Sequence, residues 1–186
     1  MAKPRNLLAQ LQTMQYSHTN YIFEELADET VLYRLDFFNC SIAIAAGGAA
    51  TMARNPKAYR NVGRMVAEIF SGALAIANTM QFDLAAQCTL LPDTASIPLT
   101  PGERSELLRL FCTEVTGITT ALAAYANKSV LCMKPEYLTP HVAPLVVQLA
   151  QACIDIAPVL GLNLATALYE LHQQELAEHR QDEGLD

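Results

Sequence analysis

VAEIFSGALAIANTMQFDLAAQ, residues 66–87, and VVQLAQACIDIAPVLGLNLATA, residues 146–167, read as two copies of one helical segment set 80 residues apart. Val66/Val146, Ile76/Ile156, Ala77/Ala157, Leu84/Leu164 and Ala85/Ala165 are identical, and Ile69/Leu149, Met80/Leu160, Phe82/Leu162 and Asp83/Asn163 are conservative pairs. Apolar residues recur at helical spacing in both copies, so the pattern predicts helices that bury one face against each other. It decides the fold class: an all-α helical bundle built from two similar helical halves.

Working outward, the punctuation repeats as well. Asn55-Pro56 and Thr139-Pro140 each offer a capping residue followed by proline at a first helical position, just ahead of the aligned segments. Thr100-Pro101-Gly102-Glu103 adds the capping-box spacing and predicts a helix from 101 to about 127. The other expected helices are a first one after Pro4, a region over roughly 19–53 broken near Asp28, one over 57–80, one over 140–160 stopped by Gly161, and a last one over 163–180. Gly47-Gly48 weakens its helix by about 1 kcal/mol per glycine but admits a second backbone. The Pro-rich segment 91–103 reads as the joint between halves 1–93 and 94–186 of a single all-helical domain.

Bulk composition bounds the function. Net charge is −7 with the cations scattered, which sets nucleic acid aside as the main partner, since phosphate binding needs a concentrated basic surface. The exception is Arg54, Lys57, Arg60 and Arg64, which fall on one helical stripe; Arg60 and Arg64, with Glu114, are the candidate ligand-binding residues. Hydrophobic residues make up 52% and charged ones 17% of the chain. So few charges point to extra buried surface, most simply a homodimer. Five cysteines without a C-x-x-C pair make neither a zinc site nor a disulfide framework. No stretch reads as a signal peptide or as the ~20 apolar residues of a membrane span, so the expectation is a cytoplasmic protein without a membrane partner.

QLAQACIDIAPVLGLNLATALYELHQQELAEHR, residues 148–180, resembles the last two helices of the all-α nucleoside triphosphate pyrophosphatases, the MazG-like group, and Glu114 and Gly117 resemble the start of the preceding acidic helix. The resemblance implies a helical nucleotide enzyme that holds Mg²⁺ with acidic side chains. Register on Gly161 puts Leu145 and Gln148 where that family carries its E-x-x-D pair, and Leu171 and Glu175 where it carries lysine and asparagine. Chemistry of this kind cannot run on amides and alkyl groups in place of the carboxylates, so the expectation is a non-catalytic relative with no resident cofactor, acting by oligomerisation and by binding a protein partner or nucleotide-like ligand. Two alternatives stand beside it. One is an active Mg²⁺-dependent pyrophosphohydrolase whose metal acids, Glu25, Asp28, Asp36 and Glu68, come from the first half; the other is an unrelated helical bundle.

The remaining chemistry is sparse. His172 and His179 share a helical face at a spacing too long for a metal pair, and read as packing or surface residues. Cys40 with His18 forms a conceivable nucleophile pair only if the fold joins them. Tyr16, Tyr21, Phe23, Tyr33, Phe37 and Phe38 make an aromatic N-terminal region, read as core or as a stacking wall for a flat ligand.

Overall fold

A computed structural model describes residues 4–53, 59–88, 98–128, 135–182 and 184; of residues 4–6, 59, 60, 127, 128 and 135 it describes the backbone alone. The described residues form six α-helices and no strand. Helix α1 spans Pro4–Ile22, α2 Val31–Met52, α3 Tyr59–Thr79, α4 Pro101–Lys128, α5 Pro135–Ile156 and α6 Leu164–Asp182. Short 3₁₀ turns at Glu24–Asp28, Leu84–Ala86 and Pro158–Leu160 join them. The all-helical bundle follows the apolar periodicity.

Helix α3 is the hub. Val62, Val66, Ile69, Phe70, Ala73, Leu74, Ile76 and Ala77 are all buried along it, and it packs against α1, α2, α5 and α6. Helix α4 lies outside this group, against α2 and α5. The tightest approach falls at Gly72, where an added Cβ would stand 2.5 Å from Ile42 Cγ1. Gly48 is close to Met65, but a Cβ on Gly47 would meet nothing within 4 Å, so the close approach expected at the glycine pair belongs to Gly48 alone.

Local signals set the helix ends. Thr30 Oγ1 accepts from the Tyr33 amide at 3.2 Å and starts α2. Thr100 and Glu103 close the anticipated capping box, with Glu103 Oε2 accepting from the Thr100 amide at 2.8 Å and Thr100 Oγ1 from the Glu103 amide at 3.3 Å. The two aligned segments end alike. The Phe82 amide donates to the Ala77 carbonyl at 3.1 Å and the Leu162 amide to the Ala157 carbonyl at 2.9 Å. Gln81 (φ 58°) and Gly161 (φ 65°) supply the left-handed residue each turn requires.

Two expectations are corrected. Helix α5 begins at Pro135 rather than at Pro140 and runs through Pro140 and Pro144. Both prolines are exposed, so their rings lie on the outer side of the helix. The cytoplasmic expectation is also overturned. Val31–Met52, Pro101–Ala126 and Glu136–Leu160 are long and apolar enough to cross a membrane by length and composition, and 39% of the relevant window is buried in each of the first two. Isolated polar residues such as Asp36, Asn39, Glu114 and Gln148 interrupt these runs without lowering their mean hydropathy below that of a span.

Candidate functional site

The site grows from two histidines. His18 on α1 and His172 on α6 are both buried, and their rings stack with centroids 3.8 Å apart and 9° between planes. Each imidazole sits on the inward face of its helix, which the apolar periodicity turns toward α3. His172 Nε2 lies 2.8 Å from Gln15 Oε1, which also accepts from Ser71 Oγ at 2.8 Å. Gln15 turns its amide nitrogen to Thr19 Oγ1 at 3.0 Å, so its oxygen faces His172 and the Nε2 of that ring carries the proton. Burial, and next the neighbouring His18, bring the His172 pKa down to about 4; burial also lowers His18. Both rings are therefore neutral at neutral pH.

Glu175, one turn beyond His172 on α6, completes the cluster. Its Oε2 lies 3.3 Å from His18 Nε2, at an angle too poor for a hydrogen bond, and neither His18 nitrogen has a hydrogen-bond partner. Desolvation, then the charge of Glu68, pushes the Glu175 carboxyl up to about 7; Arg64 opposes the shift and Glu178 adds to it. Glu68 itself is held by Arg64, whose Nε donates to its Oε1 at 2.8 Å.

These groups form one end of a cavity of about 280 Å³ between α1, α2, α3 and α6. Gln15, His18, Glu68, Ser71 and Glu175 line the polar end; Phe23, Phe37, Phe38, Ile44 and Leu171 line the rest. Phe37 meets Phe23 and Phe38 edge to face, both at centroid distances of 5.3 Å, which fixes the aromatic wall. The volume lies near the lower end of small-molecule sites, about 300–1,000 Å³. A shallower groove of about 490 Å³ between α4 and α5 is lined by Gln148, Gln151 and Ala152, the positions 80 residues beyond Glu68, Ser71 and Gly72. Neither α1 nor α6 contributes to that groove, and it has no acidic-histidine end.

The residues singled out in the sequence are distributed unevenly. Glu68 faces the cavity; Glu25 and Asp28 are exposed on the first 3₁₀ turn and Asp36 is exposed on α2. Among the described residues no three His, Cys, Asp or Glu side chains stand close enough to share a metal ion. Arg64 pairs with Glu68, and exposed Glu114 accepts from Gln148 Nε2 at 2.9 Å. Arg54 and Lys57 lie outside the described residues, as does the side chain of Arg60. Of the aromatics, Phe23, Phe37 and Phe38 reach the cavity, whereas Tyr16, Tyr21 and Tyr33 are exposed. His18 meets His172, and Cys40 is exposed on α2. Sequence reasoning missed Gln15, His172 and Glu175 as a unit because 157 residues separate Gln15 from His172. The available signal was buried polar residues on the apolar faces of the first and last helices. No family model, curated protein or solved structure significantly matches this chain.

Proposed function

We propose that this chain is a binding protein that takes a small amphiphilic ligand into the cavity between α1, α2, α3 and α6. The observation that carries this reading is the pairing of an aromatic wall with a half-buried carboxylate end that includes a histidine lacking hydrogen-bond partners. Groups so desolvated are costly to a bundle that uses them only for packing, and they cluster where a ligand completes them. Non-catalytic action agrees with the replacement of the expected E-x-x-D pair by Leu145 and Gln148, and a divergent kinship to the MazG-like group remains part of the proposal. An active pyrophosphohydrolase would instead show Mg²⁺-dependent pyrophosphate release that disappears in Glu68→Ala.

The test is a thermal-shift screen of small amphiphiles and nucleotides on the wild type and on Ser41→Trp, which places an indole at the cavity mouth. A ligand at 100 times its Kd adds about 2.7 kcal/mol to stability. The reading expects stabilising compounds for the wild type that lose their effect on Ser41→Trp. Equal stabilisation of both proteins, or of neither, would sink it.

Pairing of two copies is the second part of the proposal, favoured by the outer face of α2. Cys40, Ala43, Gly47 and Ala50 are exposed there at alternating spacings of three and four, beside Ile44 at 76% exposure. An exposed mid-helix glycine costs about 1 kcal/mol, which close approach of another helix offsets. Light scattering should give twice the chain mass, and Gly47→Leu should halve it; a monomeric wild type ends this part.

A further inference from the structure

The hydrogen-bond directions at the polar end specify what the ligand must bring. Ser71 Oγ spends its proton on Gln15 Oε1 at 2.8 Å, and Ser41 Oγ spends its own on the Phe37 carbonyl at 3.1 Å. The Gln15 amide nitrogen is directed to Thr19. The hydroxyl and amide donors that line the cavity are thus turned into the protein. Mostly acceptors remain toward the space: the lone pairs of the two serines, Glu68 Oε2, and the Glu175 carboxyl once it is ionised. His18, with a side chain only 5% exposed and no completed hydrogen bond, adds one ring N–H and one ring lone pair, neither with a partner.

A pocket that offers two carboxylates and several hydroxyl lone pairs against the single N–H of neutral His18 is the complement of a group that donates several hydrogen bonds and carries positive charge. Three phenyl rings line the rest of the cavity, and aromatic rings attract such a cation. A bare metal ion is the poorer match, since among the described residues no three metal-ligating side chains converge. A phosphate or carboxylate would stand against Glu68 and Glu175 with only the single N–H of His18 to receive it.

We infer that the cavity binds an organic ammonium ion, its nitrogen between Glu68 and Glu175 and its apolar or aromatic body against Phe23, Phe37 and Phe38. This rests on the ligand-binding reading above and deepens it by naming the chemical class. Ammonium binding also holds Glu175 ionised, so affinity rises with pH across the range in which that carboxyl titrates. The charged and titratable groups around it are Glu68 and Arg64 from α3, His18 from α1, and His172 and Glu178 from α6.

Three probes with one body separate the outcomes: 2-phenylethylammonium, neutral 2-phenylethanol and anionic phenylacetate, each titrated into ¹⁵N-labelled full chain and followed by amide shifts. The ammonium should bind about tenfold or more tighter than the alcohol, since hydrogen bonds involving charged groups are worth about 1.5–3 kcal/mol. Phenylacetate should not bind. Glu175→Gln and Glu68→Gln should each remove most of the ammonium's advantage over the alcohol. Equal or tighter binding of the alcohol or the acid would overturn the charge assignment and leave the cavity reading standing. Shifts for none of the three, with a folded spectrum, would overturn both.

Discussion

The imidazoles of His18 and His172 lie face to face at 3.8 Å, joining the first helix to the last, and neither carries a proton beyond its neutral complement at neutral pH. Charging both would set two cations in contact inside a poorly solvated site. The stack therefore exists only while the pair is neutral, and it fixes the polar end of the cavity through Gln15 on one side and Glu175 on the other.

Acid should loosen this contact. The folded-state pKa of His172, about 4, lies below the usual 6.5, so the native state binds fewer protons than the unfolded chain between those values. The stability this contributes is complete above pH 6.5 and is lost as pH falls through 4. The C2 proton of His172 should titrate with a midpoint near 4 in an NMR series; a midpoint at 6.5 or above would show an exposed, unstacked ring.

Glu175 works in the opposite direction. Its folded pKa, about 7, lies above the ordinary carboxyl value, so the native state holds the proton more tightly and stability falls as pH rises from about 4.5 through 7. Glu175→Gln removes the ionisation and with it the loss. Because the side chain is nearly one-third exposed, a discounted gain of about 1–2 kcal/mol over the wild type is expected at pH 8. That corresponds to about 2–4 °C in Tm per kcal/mol for a chain of this size. Little or no gain is expected at pH 5, and a pH-independent difference between the two proteins would contradict the account.

The paired turns at 81 and 161 predict opposite effects from opposite substitutions. Gln81 is the one non-glycine residue with positive φ among the described residues. Gln81→Gly should stabilise by about 0.5–1 kcal/mol and Gly161→Ala should destabilise by about 1 kcal/mol, both read from urea midpoints. Destabilisation by the first would mean that the Gln81 side chain holds its turn in place by some other contact.

Asn39 Nδ2 donates to the Thr119 carbonyl at 3.1 Å, a buried bond between α2 and α4 whose partners stand 80 residues apart, the offset of the two aligned segments. Asn39→Ala removes the donor and opens a void, at an expected cost of about 1–3 kcal/mol in chemical denaturation. A neutral substitution would show that the α2/α4 contact is held by its apolar neighbours alone.

What the sequence made legible was local. Thr100 with Glu103, the turn before Gly161, and the apolar face of 66–77 act within a few residues, and their chemistry reads directly from spacing. The start of α5 was misread because Thr139-Pro140 has the form of a helix start, and only the outward position of both prolines shows why the helix passes through them. Glu68 stood among the candidate metal acids, but its polar neighbours in the cavity include Gln15 and His18 from α1 and Glu175 from α6, at opposite ends of the chain. Packing assembled that site, so no local pattern announced it. The apolar spans of α2, α4 and α5 are masked for the converse reason, since single polar residues interrupt runs whose mean hydropathy remains that of a span.

The chain contains no tryptophan, so Phe37→Trp places a single indole in the cavity wall. Titration of that variant with 2-phenylethylammonium at pH 8 tests the central claim most directly. A saturable change in indole emission, weakened at pH 5.5 and weakened again by adding Glu175→Gln, is the expected result. Emission that stays constant to tens of millimolar ligand, about the weakest specific range worth the name, would contradict it.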